Sequence, residues 1–312
     1  MIANILFLAL MIHGGSHIMF SRKDVRPAQT QLLLHKGFLP VSLDHRLCPE
    51  VPLAEGARVD ICDALVWARN KLPKIQLKRS GLRIDGEKVV VVGWSSGGQL
   101  AMSLGWTAPS RGLRAPEAVL ALYAPTDYED DWWQHPIQPN GAIDPGEKYD
   151  VLEGVQEQPI SNYGVIGSWE PLTNSRIMND ARSRIVLHIN WKAQTLPVIL
   201  QGLPSRKNAG REDWNARPQP PVDVVRAASP RARIVEGEYR TPTFLIHSTG
   251  DDLIPWQQSQ DTHEALLKRG VRSDIVLIEG APHVCDLSSD PESDGWKAVL
   301  KGYAFLSDAV GL

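Results

Sequence analysis

The chain of 312 residues has little cysteine, little net charge and no long hydrophobic run. Its three cysteines, Cys48, Cys62 and Cys285, are few and odd in number. That argues against a disulfide-stapled framework and for a reduced, cytoplasmic setting. None has the spacing of a zinc site, so no metal is expected. A net charge of -3 and a pI near 6.3 leave no basic excess, which argues against a nucleic-acid partner. The apolar start, Met1 to Ile12, is too short to span a bilayer, so no membrane partner is expected. It lacks a basic leader region and a small-x-small cleavage site, and reads as a buried strand rather than a signal peptide. No repeat or low-complexity tract interrupts the chain. A hydrophobic content of 43% suits one large α/β domain, or one carrying an insertion.

What the chain does have is Lys88-Val89-Val90-Val91-Val92-Gly93-Trp94-Ser95-Ser96-Gly97-Gly98. Four valines predict a strand too apolar to face water. The apolar run from Gln99 to Leu104 predicts a helix. Between them Gly93, Ser95 and Gly97 fit G-x-S-x-G, a strand–turn–helix elbow that exposes a serine on a strained backbone. A Cβ at Gly93 or Gly97 would meet the neighbouring strand or helix. The helix N-terminus aims free N–H groups and a positive dipole end at the serine.

Other strands are predicted at Ile5–Ile12, Gly37–Asp44, Ala118–Tyr123, Thr241–Ser248 and Ser273–Ile278. Helices are predicted at Gln29–Lys36, Asp60–Lys71, Gln257–Lys268 and Trp296–Ala309. This alternation predicts a mostly parallel sheet flanked by helices. From about Asp127 to Arg240 the alternation breaks. Prolines are frequent there, and five of the ten tryptophans fall in it: Trp132, Trp133, Trp169, Trp191 and Trp214. Ile177, Ile185, Val186 and Ile189 recur at helical spacing across Ser175–Trp191. A connection this long needs structure of its own. The expected organisation is a core of residues 1–126 and 241–312, with 127–240 inserted as a largely helical lid. Its aromatics either line an apolar pocket, with Trp132 and Trp133 as candidates, or build the lid's own core. Trp94, outside the insertion, either narrows that pocket or packs behind the elbow.

Serine needs a base within reach, and the base needs an acid to fix its tautomer. Asp251 and His283 follow the last two strands, as Ser95 follows an earlier one. All three then fall at the carboxyl edge of the sheet, where open α/β sheets bind ligands. Asp252, beside Asp251, is the alternative acid or a helix cap. His13 sits in the glycine-rich turn His13-Gly14-Gly15-Ser16, where a histidine orders the loop. The N–H groups of Gly14, Gly15 and Ser96 are the expected oxyanion donors. The polar cluster Asp44 to Glu50 reads as an ion-pair network that fixes loops.

These segments resemble the hormone-sensitive-lipase-like α/β-hydrolases. His13-Gly14-Gly15-Ser16 is similar to that family's HGGG turn, and Asp44 to Glu50 to its D-Y-R-L-A-P-E segment. Gly93 to Gly98 is similar to its G-D-S-A-G-G elbow. His247 to Pro255 is similar to its acid loop, which makes Asp251 the acid. Ser16, Trp94 and His45 depart from the family's glycine, aspartate and tyrosine. Gly15 to Asp24 and Leu43 to Glu50 also resemble the hydrolases that accompany fungal polyketide synthases. The resemblance implies an α/β-hydrolase fold with the triad Ser95, His283 and Asp251. It implies no cofactor, and a small-molecule acyl substrate, free or on a carrier protein. The expected substrate is an ester or thioester of a hydrophobic polyketide. Carboxylesterase, lactonase and acyltransferase chemistry use the same triad. A ligand-binding scaffold on this fold is the alternative of another class, and His283 argues against it. A homodimer is compatible with all of these.

Overall fold

The computed structural model describes residues 4–77, 81–138, 143–163, 179–203 and 217–312. Trp169, Ile177 and Trp214 lie outside the described residues.

Six strands form one sheet: β1 (Asn4–Ile12), β2 (Phe38–Leu43), β3 (Leu82–Trp94), β4 (Ala118–Leu122), β5 (Thr243–Ser248) and β6 (Ser273–Ile278). Their spatial order is β2-β1-β3-β4-β5-β6, and every neighbouring pair is parallel. The N-terminal apolar stretch is β1, paired on both sides. β3 starts earlier than its valines suggest, at Leu82. Its polar first half pairs with Asn4 to Phe7, and the register then shifts between Phe7 and Leu8.

Side chains alternate along each strand and feed two layers. Leu8, Leu10, Ile12, Val89, Val91, Val119, Ala121 and Leu245 face α2 (Ala57–Asn70) and α3 (Ser96–Ser110). Ala9, Met11, Val90, Val92, Leu120, Leu122, Phe244 and Ile246 face the other way. Leu33 of α1 (Pro27–His35) and the C-terminal helix Asp294–Val310 cover them there. Ser293 caps that helix by accepting from Trp296 N–H, and Gly311 ends it at φ 78°. Both faces of the sheet are covered, which explains the unbroken apolar runs.

Residues 127–240 contribute four helices among the described residues: Ala181–Trp191, Thr195–Gln201, Val222–Ala228 and Pro230–Val235. Short 3-10 turns precede them. Ile185, Ile189, Leu196, Val198 and Ile234 join the same apolar cluster as α2 and α3. The described helices therefore share one apolar cluster with α2 and α3. Arg182 fixes the first of them in place: the guanidinium donates to Ile18 O, Cys48 O and Gly154 O and pairs with Glu50 at 2.5 Å.

Candidate active site

The elbow follows from packing. Val89 to Val92 are each 0% exposed, and burial of each stabilises by about 1.5–3 kcal/mol. Ser95 sits at φ 51° and ψ -126°, a conformation costing about 1–3 kcal/mol. The buried strand and α3 on either side outweigh that strain. A Cβ on Gly93 would strike Gly97 O, and one on Gly97 would strike Ile12 O and His13 O. Ser95 N–H donates to Leu122 O at 2.8 Å, which anchors the turn to β4.

Ser95, His283 and Asp251 come together. His283 Nε2 lies 3.1 Å from Ser95 Oγ, and His283 Nδ1 lies 2.6 Å from Asp251 Oδ2. An ionised carboxylate only accepts, so Nδ1 carries the proton and Nε2 is left to accept from the serine hydroxyl. Asp251 Oδ1 accepts from the N–H groups of Leu253 and Ile254 at 2.9 and 3.0 Å. Asp251 thus holds both the histidine and the turn before the helix Trp256–Lys268, which has no side-chain cap of its own. Burial alone would raise the Asp251 pKa. The His283 charge and the hydrogen bonds from His247 and His283 outweigh it and hold the carboxyl well below the usual range.

His247 was not singled out by the sequence reading, although it opens the acid-loop motif. Its Nε2 lies 3.1 Å from Asp251 Oδ2, and its Nδ1 lies 2.7 Å from Ser259 Oγ. It is a second donor on the acid. Loop contacts hold His283 as well: Ser248 Oγ donates to Ala281 O, and Gly280 N–H donates to Thr249 Oγ1 at 2.8 Å.

Gly14 and Ser96 are brought beside the serine, and Gly15 continues the same turn. A Cβ on Gly14 would lie 3.2 Å from Ser95 Cβ, so only the bare backbone passes the nucleophile so closely. Gly15 has φ 96°, and Ile18 N–H and Met19 N–H both donate to its carbonyl. Ser96 is the first residue of α3, so its N–H has no acceptor within the helix. Ser96 Oγ accepts from His17 N–H at 3.1 Å, tying the turn to the helix.

His13 does not act on Ser95. It is buried, stacked on His45 with centroids 4.4 Å apart and planes 8° from parallel. Burial, then His45, hold the His13 pKa well below its usual value. The polar cluster around it forms ion pairs: Arg22–Asp44, Arg46–Asp60 and Arg182–Glu50.

Two of the three pocket candidates take the other reading, as packing residues. Trp94 is 2% exposed and belongs to the layer behind the elbow, where its indole N–H donates to Asp286 Oδ2 at 2.8 Å. The residue before an elbow serine is the last of its strand, so alternation turns its side chain away from the serine. Trp133 is 4% exposed, edge-on to Tyr128, with its N–H on Asp127 O. It packs the core instead of lining an open wall. Trp132 alone is partly exposed, with its N–H 3.3 Å from Leu253 O in the acid loop.

Among the described residues, no group of three or more His, Cys, Asp or Glu is arranged to hold a metal ion. No described helix is long and apolar enough to cross a membrane. Burial pushes the Cys48 thiol up to about 12, far from a reactive thiolate.

This fold and elbow define a class, and comparison with known proteins agrees. Residues 9–148 match the family described as alpha/beta hydrolase fold. The chain has the α/β-hydrolase fold and is homologous to a region of fungal non-reducing polyketide synthases. It is 51% identical over 313 residues to the 5-methylorsellinic acid synthase of Aspergillus terreus, covering 96% of this chain and 12% of that protein. It is 47% identical to the non-reducing polyketide synthase ausA of Penicillium brasilianum, covering 98% of this chain and 13% of that protein. The chain therefore spans a small part of the relatives it matches. Among solved structures, an alpha/beta hydrolase superfamily protein from Enterococcus faecalis superposes with a TM-score of 0.62 at 16% identity, covering 99% of this chain and 92% of that one. Carboxyl esterase 2 from Tuber melanosporum gives 0.58 at 18%, covering 98% and 79%. These two likenesses speak to the fold alone.

Proposed function

We propose that this chain is a serine hydrolase that releases a hydrophobic polyketide acyl group from an ester or thioester. The observation that carries the reading is the unbroken line Ser95 Oγ, His283 Nε2, His283 Nδ1, Asp251 Oδ2. In the reaction Ser95 Oγ attacks the acyl carbon while its proton passes to His283 Nε2. The N–H groups of Gly14, Gly15 and Ser96 receive the oxyanion. Collapse expels the alcohol or thiol, which takes the proton from His283. Water then repeats the cycle on the acyl enzyme, with His283 again as base and then acid. Asp251 stays ionised throughout and stabilises the imidazolium. No step calls for a cofactor.

The acyl class rests on homology to polyketide synthase regions, so a carrier-protein thioester is the natural donor. Residues 127–240 act as the lid over the site, with Trp132 as its aromatic next to the acid loop. The test is steady-state hydrolysis of aromatic polyketide thioesters against short aryl esters. The reading expects higher kcat/KM on the polyketide thioesters and none of either activity in Ser95→Ala. Preference for short aryl esters would support a general carboxylesterase. Product carrying an added alcohol or amine in place of free acid would make the enzyme an acyltransferase. Turnover by Ser95→Ala would overturn the mechanism.

A further inference from the structure

A second buried carboxylate lies behind the base. Asp286 follows His283 by three residues, and its side chain is 0% exposed. Its Oδ2 accepts from Trp94 Nε1 at 2.8 Å and from Gln29 Nε2 at 2.6 Å. Its Oδ1 accepts from the Tyr123 hydroxyl at 2.8 Å. Arg26 completes the set, with Nε 3.4 Å from Oδ2 and Nη2 donating to the Tyr123 hydroxyl at 3.1 Å. Tyr303 steadies Gln29 from the C-terminal helix at 3.1 Å.

The donors come from the elements that form the site. Trp94 ends β3 and immediately precedes the nucleophile. Tyr123 directly follows Leu122, whose carbonyl holds Ser95 N–H. The Tyr123 ring also stands edge-on to the His283 imidazole, with centroids 4.7 Å apart. Tyr123 is held at φ 39°, where residues other than glycine rarely sit. A buried carboxylate costs free energy unless several donors meet it, and here four side chains do. The base and the nucleophile are 188 residues apart in sequence, so something other than the chain must fix their spacing.

We propose that Asp286 is a positioning residue for His283, joining the loop of the base to Trp94 and Tyr123 behind the serine. Nothing in this network reaches the acyl carbon; it acts by keeping His283 Nε2 on Ser95 Oγ. The proposal rests on reading Ser95, His283 and Asp251 as the catalytic triad.

Asp286→Asn strips the charge that Arg26 faces and is prone to misfold, so Trp94→Phe and Tyr123→Phe carry the test. Each keeps a ring in place and removes one donor to Asp286. Misplacement of the base predicts that either variant lowers kcat on an aryl ester by about tenfold to a hundredfold. KM stays within about twofold, because the binding surface is untouched. In a His283→Ala background the same substitutions leave the residual rate within about twofold, because the path through His283 is already cut. Equal losses in both backgrounds, or none in either, overturn the proposal. The far-downfield proton of His283 Nδ1 in its bond to Asp251 gives a readout free of turnover. It shifts or broadens in Trp94→Phe if Asp286 positions the base, and an unmoved resonance overturns the proposal. A wild type that fails to react with a serine-directed probe would count against the hydrolase reading, while this resonance would still decide the role of Asp286.

Discussion

His13, His17 and His45 are each 1% exposed or less, and each leaves one ring nitrogen without a hydrogen bond among the described residues. Burial, with His45 and Arg58 nearby, pulls the His17 pKa down to about 3. Burial lowers His45 too, despite the Arg46 carbonyl, Asp60 and Asp44. The folded state therefore keeps all three neutral at a pH where the unfolded chain takes up protons. A pKa depressed on folding leaves stability intact above about 6.5 and erodes it as pH falls below that value. With its pKa near 3, His17 should remove roughly 1.5–2 kcal/mol between pH 6.5 and 5, and His13 and His45 act in the same direction. Asp251 pulls the same way at still lower pH, since its carboxyl is held low by folding. Urea unfolding across this range is expected to show a steep acid loss, and His17→Gln should make the slope shallower. A flat profile would contradict the buried neutral assignment. Ser95, Asp251 and His283 were legible because each follows a strand, and Ser95 and Asp251 also sit in motifs. Asp286 was not, since its partner Trp94 lies 192 residues away and no local pattern links them.

At the scale of elements, the glycine turn and the inserted segment carry the predictions. Gly14 packs bare backbone against Ser95, where a Cβ would lie 2.9 Å from Trp94 O. Gly14→Ala is expected to push the turn away and lower kcat by about 10²-fold, with little change in KM. Steady-state kinetics on an aryl ester checks this, and an unchanged kcat would remove Gly14 from the oxyanion site. Arg182 ties the helix Ala181–Trp191 to the loops that follow β1 and β2. Its side chain is 0% exposed and that of Glu50 is 2% exposed. Arg182→Met leaves the Glu50 carboxylate buried without its cation and should destabilise by about 3–5 kcal/mol. Replacing both partners by apolar residues should cost less than the single change. Denaturant midpoints of the single and double variants decide between the two.

For the whole molecule, hydrophobic runs and their alternation with helices made all six strands and the parallel sheet readable. The first half of β3 escaped because Arg83, Asp85 and Glu87 give it a half-solvated, polar pattern. The tryptophans of residues 127–240 were readable as pocket lining or as core, and the sequence could not choose between the two. That depends on long-range packing, and Trp133 settles into the core with Tyr128. The depth of the Arg182 side chain was likewise invisible, because an arginine reads as surface until its carbonyl partners are known.

The most direct measurement is intact mass after treatment with a fluorophosphonate. The account predicts one adduct on the wild type, none on Ser95→Ala, and strongly slowed labelling of His283→Ala. Labelling of Ser95→Ala, or a wild type that stays unmodified while binding polyketide thioesters, would contradict an activated serine at the centre of this site.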